Sequence, residues 1–399
     1  MTNSHTDVPL ALYVHFPWCV KKCPYCDFNS HAVRDNIPEL AYLEKLLGDL
    51  DSELEDTPGR IIQSVFIGGG TPSLISPSTI AALLAHLKEA GRLSTESEIT
   101  LEANPGASDS ARFLGYRAAG VNRLSIGVQS FNDRSLKHIG RIHDGNQSRD
   151  AIRAARSAGF ENINIDLMFA LPEQSERDAL ADVDIALTFA PEHLSYYQLT
   201  LEPNTAFHND PPELPDEDTA EVMHQSAIER INQAGLTRYE VSAFALKGRQ
   251  SRHNRNYWEF GDYLGVGAGA HGKVTSTDGV TRYSKPRHPK AYLDPQTVFR
   301  CHVTKPTGDD LLFEFMLNAL RLTDGFDRDL FGMRTGLSPT RLAEQIKPLI
   351  NEGLLRDDSE RLCATESGLR YLNNVLERLL PNTSINTTYL PHERPDALL

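Results

Sequence analysis

The chain has 399 residues, 40% of them apolar and 24% charged, with a formal net charge of −14. That length predicts one large domain and a smaller one, and the acidic balance excludes nonspecific adhesion to nucleic acid or to an anionic membrane face. No stretch approaches the ~20 apolar residues of a membrane-spanning helix. Met1–Leu10 has neither the basic start nor the apolar run of a secretory leader.

Strand and helix patterns then alternate. Strands are predicted over Leu12–Phe16, Ser64–Ile67, Glu98–Ala103, Arg123–Gln129, Asn162–Met168 and His193–Thr200. Amphipathic helices are predicted over Pro38–Asp51, Ser76–Ala90, Asp109–Ala119, Asn146–Ala158 and Ser175–Phe189. Six βα units imply a parallel sheet with helical crossovers, either doubly wound or closing like a barrel. Parity favours the barrel. Thr100, Glu102 and Asn104 share one face, as do Ser125, Gly127 and Gln129, and as do Asn162, Asn164 and Asp166. With helices covering one face, a recurring polar face belongs inside an open barrel, where it lines a cavity.

Beyond Thr200 the beat fades into an acidic, proline-rich loop, His208 to Asp218. A helix over Thr219–Ala234, a strand over Arg238–Ala245 and a glycine-dense run, Gly261 to Gly272, follow. From about Asp309 the pattern is helix (Leu311–Leu322), helix (Ser338–Asn351), hairpin (Leu354–Ala364) and helix (Glu366–Leu380), a winged-helix-like arrangement. The helix over Ser338–Asn351 sets Arg341 and Lys347 against Glu344, too weak a charge for DNA reading and better suited to packing.

Cys19-Val-Lys-Lys-Cys23-Pro-Tyr-Cys26 follows the first strand, at the carboxyl end where α/β sites are built. Three thiolates suit a four-iron cluster whose last iron is left for a ligand that is not a side chain. The competing reading is a zinc site completed by His15 or His31, but no second CxxC pair is present. Five cysteines in all, three of them clustered, argue against a disulfide framework and for a reducing cytoplasm. Gly68-Gly69-Gly70-Thr71-Pro72 closes the second strand, either as a tight turn or as exposed backbone for the amino group of a ligand. Glu102, Gln129 and Asp166 fall near the ends of strands three to five, suited to ribose hydroxyls, and Arg141 suits a carboxylate or a solvated helix end.

These motifs together resemble the radical S-adenosylmethionine superfamily, and within it the HemN/HemW branch. The resemblance rests on Tyr13-Val-His15-Phe-Pro17-Trp-Cys19, Phe66-Ile-Gly-Gly-Gly-Thr-Pro72, Leu101-Glu-Ala-Asn-Pro105, Ser125-Ile-Gly-Val-Gln-Ser130 and Asn164-Ile-Asp-Leu-Met168, in that order. It implies a partial (βα)6 TIM-like barrel over 1–240, a linking region over 241–305, a HemN-type C-terminal domain over 306–381 and a tail over 382–399. It implies that Cys19, Cys23 and Cys26 hold a 4Fe–4S cluster, and that Tyr13, Gly69 and Glu102 contact S-adenosylmethionine. Tyr25, Gly70, Thr71, Gln129, Arg141 and Asp166 match contacts to a second such molecule.

His253-Asn-Arg-Asn-Tyr257-Trp258 matches the HNxxYW signature of the heme chaperones in that branch. Read physically, His253 is a candidate heme ligand, and Tyr257 and Trp258 are candidates to pack a flat macrocycle, against the plainer reading of a hydrogen-bonded turn with two core aromatics. His271 is a second candidate ligand. The resemblance therefore implies a cytoplasmic heme chaperone with an apo-hemoprotein acceptor and a reductant such as flavodoxin, a homodimer being left open. The other activity in the branch is oxygen-independent coproporphyrinogen III oxidation. Two departures point away from it: Asp27-Phe28 follows Cys26 where the oxidases carry another cysteine, and the first strand starts without the oxidases' preceding extension.

Overall fold

The computed structural model describes residues 8–33, 36–106, 109–358 and 360–381; the tail expected over 382–399 lies outside the described residues. Six strands carry the barrel: β1 (Leu10–Phe16), β2 (Ile62–Gly69), β3 (Leu93–Ala103), β4 (Arg123–Gln129), β5 (Ile163–Phe169) and β6 (His193–Gln198). Each pairs in parallel with the next in chain order. A doubly wound sheet would reverse that order at a switch point. Right-handed crossovers between successive neighbours instead leave every helix on one face, and the other face becomes the barrel interior.

The helices form where local chemistry starts them. Ser76 caps Pro77–Glu89, whose first residue is a proline with no N–H to lose. Asp144 with Gln147, and Ser175 with Asp178, make reciprocal capping boxes at Gly145–Ser157 and Glu176–Leu187. In Glu39–Glu55, Tyr42, Leu46, Leu50 and Leu54 recur every four residues and bury one stripe. It packs in the main core with the outward strand residues Leu12, Val14, Val65, Ile67, Leu124, Ile126, Ile163 and Ile165. The opposite parity (Thr100, Glu102, Ser125, Asn164, Asp166) faces inward, as expected.

The stretch 241–305, expected as a link, supplies five strands to the same twelve-stranded sheet. Asp262–Val266 runs parallel to β1, and His271–Ser276, Gly279–Ser284 and Cys301–Thr304 continue antiparallel from it. At the other edge the predicted strand Arg238–Ala245 is a hairpin, Thr237–Glu240 and Ala243–Ala245, with the latter antiparallel to β6. Glycine density hides Asp262–Val266 and His271–Ser276 in the sequence because glycine is a poor strand former. Close approach requires it nonetheless: a Cβ at Gly265 would lie 1.8 Å from the His271 carbonyl oxygen, and one at Gly272 would lie 2.1 Å from the Tyr283 ring.

This extension is bolted to the first helix by a buried ion cluster. Lys285 Nζ donates to Asp49 and Glu53, each at 2.5 Å. Arg300 Nη2 donates to Glu53 at 2.6 Å, Tyr292 donates to Asp49 at 2.7 Å, and Tyr283 donates to Glu53.

The C-terminal part has its own core, including Leu312, Phe315, Met316, Phe331, Ile346, Leu362 and Val375. Helices Gly308–Ala319, Arg328–Thr335 and Pro339–Asn351 precede the hairpin Leu355–Asp357 and Arg361–Ala364, which Phe326–Asp327 joins to make three strands. The last predicted helix is two pieces, Glu366–Arg370 and Leu372–Glu377. Arg282 pairs with Glu314 at 2.5 Å and Phe260 meets Phe315 edge-on, so this domain rests on the extended sheet.

Candidate functional site

The barrel's carboxyl end opens into a cavity of about 190 Å³. Cys19, Cys23 and Cys26 stand together on its wall. Their loop is held at both ends. Trp18–Cys19 pairs in parallel with His31–Ala32, and the Cys26 N–H donates to the Cys23 carbonyl at 3.1 Å. Between them Asn29 Nδ2 donates to the Ala268 and Arg287 carbonyls, both at 2.9 Å, tying the loop to the sheet extension.

His15 Nε2 donates to the Asn29 carbonyl at 2.9 Å, and the Tyr13 hydroxyl donates to His15 Nδ1 at 3.0 Å. Burial holds His15 neutral, at about 4. With both ring nitrogens engaged, His15 does not join the thiols. Among the described residues, no three His, Cys, Asp or Glu side chains are gathered into a single-ion site.

The glycine run fixes where the loop leaves the barrel. The Gly70 N–H donates to the Phe16 carbonyl at 2.8 Å, and a Cβ on Gly70 would sit 2.5 Å from the Trp18 carbonyl oxygen, next to Cys19. Gly69 adopts φ 115°, where a side chain would also strike the His15 ring at 2.7 Å. The Gly69 N–H donates to Glu102 Oε2 at 3.1 Å.

Arg141 donates through Nη2 to the Gly127 carbonyl and to Asn104 Oδ1, both at 2.7 Å, and its Nη1 lies 3.8 Å from Cys23 Sγ. It is therefore a fixed wall residue, not a solvated helix end. Gln129 closes β4 in the left-handed region, φ 66°, a strained conformation for a side chain and of the sort found at ligand sites.

Buried acids give the cavity its electrostatics. Glu102 is pushed up to about 8, by burial first and then by Asp166 beside it, against the opposing Gly69 N–H. Burial likewise raises Asp166, although Asn164, Ser195 and Ser125 hydrogen-bond it. An unfolded glutamate titrates near 4.5, so the folded chain holds an extra proton between there and about 8. Glu102's contribution to stability is therefore full at low pH and lost as pH rises through about 8. Denaturation midpoints of metal-free protein should fall across that window, and Glu102→Gln should flatten the fall. Identical slopes for the two proteins would contradict this.

Of the residues expected to bind cluster or cofactor, the cavity is lined by Cys19, Cys23, Tyr25, Cys26, Gly69, Gly70, Thr71, Glu102, Gln129, Arg141 and Asp166. Tyr13 is not on that wall; it is 4% exposed and stacks at 6.2 Å on Phe66, which is. His271, at the start of its strand, lies outside the lining too.

The HNxxYW segment is the helix Arg252–Trp258, packed against β2 and β1 at the closed end of the barrel. Tyr257 and Trp258 are 4% and 3% exposed and pack with Ala11, Tyr263 and Leu322, so they present no free face to a macrocycle in this conformation. His253 is 2% exposed, stacks on Phe66 at 5.0 Å and shares a 3.2 Å hydrogen bond through Nδ1 with Ser64 Oγ. Its Nε2 is buried with no partner among the described residues. The residue of this segment that reaches the cavity is Asn254, which the sequence reading passed over, as it did Arg123, Ser195 and Tyr197. The parity of β4 and β6 carried the signal for the last three.

The donor set fits a cluster. Three thiols share one wall of a cavity whose remaining lining offers backbone amides, carboxyls and hydroxyls, and no fourth cysteine.

The radical SAM superfamily matches residues 13–186, and the HemN C-terminal domain matches residues 307–371. The heme chaperone HemW of Escherichia coli K12 is 44% identical over 373 residues, covering 93% of this chain and 98% of its own. HemW of Haemophilus influenzae is 44% identical over 378 residues, with the same coverage. The solved structure of E. coli coproporphyrinogen III oxidase, HemN, superposes with a TM-score of 0.79 at 23% identity, covering 94% of this chain and 91% of that one, a likeness of fold. No helix among the described residues is long and apolar enough to cross a membrane. Near-complete coverage at that identity places the chain plainly: it belongs to the HemW family of the radical SAM superfamily.

Proposed function

We propose that this protein is a heme chaperone, which binds heme and passes it to an apo-hemoprotein in the cytoplasm. The observation that supports the reading best is the 44% identity to HemW chaperones over 98% of their length, with the HNxxYW helix forming the closed end of the cavity. Cys19, Cys23 and Cys26 would hold a 4Fe–4S cluster, and S-adenosylmethionine would complete its open corner; bound there, the pair supplies one-electron chemistry.

The chain's own residues do the positioning. Glu102 and Asp166 present carboxyls to hydroxyl groups of the ligand, and Arg141, braced by Gly127 and Asn104, holds a positive charge beside Cys23. Tyr25 and Met168 belong to an apolar cluster with Ile139, Leu171 and Leu199 that limits water at one wall. His253 keeps an unpartnered ring nitrogen, neutral at about 3 because of burial, but it does not line the cavity, so iron could reach it only if the helix Arg252–Trp258 moved.

The anaerobically reconstituted protein should take up heme, seen as a shifted Soret band, and lose it to apomyoglobin. Uptake no greater than that of an unrelated acidic protein would overturn the reading.

A further inference from the structure

Arg123 opens β4 and turns into the barrel, where it lines the cavity although only 2% exposed. Among the described residues its guanidinium makes no hydrogen bond or ion pair, and its Nε is shut from solvent without a partner. The acids that feel its charge are engaged elsewhere. Glu98 accepts the backbone N–H groups of Arg252 and His253, at 3.0 and 3.3 Å. Asp166 accepts Ser125 Oγ at 3.2 Å and Asn164 Nδ2 at 2.7 Å. Burial pushes both carboxyls toward their neutral forms.

A guanidinium stays charged at any ordinary pH, so the closed end of this cavity carries a positive charge with no counter-ion in contact. Were Arg123 there only to neutralise Glu98, the two would form an ion pair, as the buried lysines do, Lys285 with Glu53 and Lys273 with Asp262. Asn254 lines the same cavity; its backbone N–H is taken by Ser251 Oγ, and its carboxamide has no partner among the described residues. Uncommitted donors aimed into a desolvated pocket are the usual form of an acid-recognition site.

We infer that Arg123, seconded by the Asn254 carboxamide, forms an anion subsite that takes a carboxylate of the ligand held in the cavity. The inference rests on the heme reading for its ligand, since heme carries two propionates, and it names the residue that fixes one of them.

The test titrates anaerobically reconstituted wild type, Arg123→Met and Arg123→Lys with heme and with heme dimethyl ester, circular dichroism and iron content confirming that each is folded and loaded. Wild type should bind heme about ten- to hundredfold more tightly than the ester, the range for a charged hydrogen-bonded contact. Arg123→Met should not distinguish them, and Arg123→Lys should lie between; if the methionine variant does not fold, the lysine variant carries the comparison. Discrimination by Arg123→Met equal to that of wild type overturns the subsite.

A second arm separates this from failure of the heme reading. Thermal midpoints are compared in sodium propionate and sodium chloride at equal ionic strength. If no protein takes up heme, the chaperone reading falls and this arm alone decides. A rise in propionate seen for wild type and absent in Arg123→Met upholds the subsite, and no difference between them overturns it.

Discussion

Alanine at Cys19, Cys23 or Cys26 is expected to take the iron content of anaerobically reconstituted protein from about four atoms per chain to near zero. Each substitution leaves two thiolates for a cluster at the mouth of an open cavity, with two iron corners facing water. The thiols also bind at a cost: burial raises Cys19, and it pushes Cys26 up to about 11 against the hydrogen bond from Ser30. Cys19 and Cys26 therefore keep their protons until iron displaces them, and losing one ligand loses the compensation for releasing the others. Cys301 and Cys363 supply the control. Their thiols point to the Val298 and Arg356 carbonyls, neither lines the cavity, and alanine at either should leave iron unchanged. A full iron complement in any of the three cavity variants would contradict the assignment.

Lys285→Met should be the most damaging single change to stability, at about 3–5 kcal/mol, the cost of stripping one partner from a buried pair. Lys285, Asp49 and Glu53 have no solvent exposure at their side chains. Without the ammonium, Asp49 keeps only Tyr292 and the Gly267 N–H, while Glu53 keeps Arg300 and Tyr283. The lowered denaturation midpoint should be partly restored by adding Asp49→Asn, which removes the orphaned charge.

The effect should reach the site as well. Helix Glu39–Glu55 carries Tyr42, whose hydroxyl donates to the His15 carbonyl at 2.8 Å and accepts the Ala268 N–H at 2.8 Å, beside the cysteine loop. Lys285→Met should therefore also retain its iron less well on dilution. A midpoint equal to that of wild type would remove this cluster from the account of stability.

Much of the site was legible because a parallel barrel turns sequence parity into geometry. Glu102, Gln129 and Asp166 end strands whose other face is apolar, so their direction followed from alternation alone. Arg123 obeys the same parity as Ser125, but a charge at the start of a strand reads as a solvated edge. Only the plug formed by the helix Arg252–Trp258 turns that end of the barrel into an interior. For the same reason the histidine and the aromatics of HNxxYW drew attention while Asn254, the residue facing the cavity, did not.

The strands Asp262–Val266 and His271–Ser276 were hidden by Gly265 and Gly272, which serve close packing and carry no strand signal. Tyr13 adds a role that its motif position did not announce: its hydroxyl positions His15 and, through Asn29, the cysteine loop.

The most direct test is Mössbauer spectroscopy of the ⁵⁷Fe-reconstituted protein with and without S-adenosylmethionine. Three protein-held irons and one open iron predict that about a quarter of the signal shifts when the ligand is added, while the rest stays in place. A spectrum unchanged by the ligand in a fully loaded cluster, or a protein that takes up one zinc ion and no cluster, would contradict the three-thiolate centre on which the account stands.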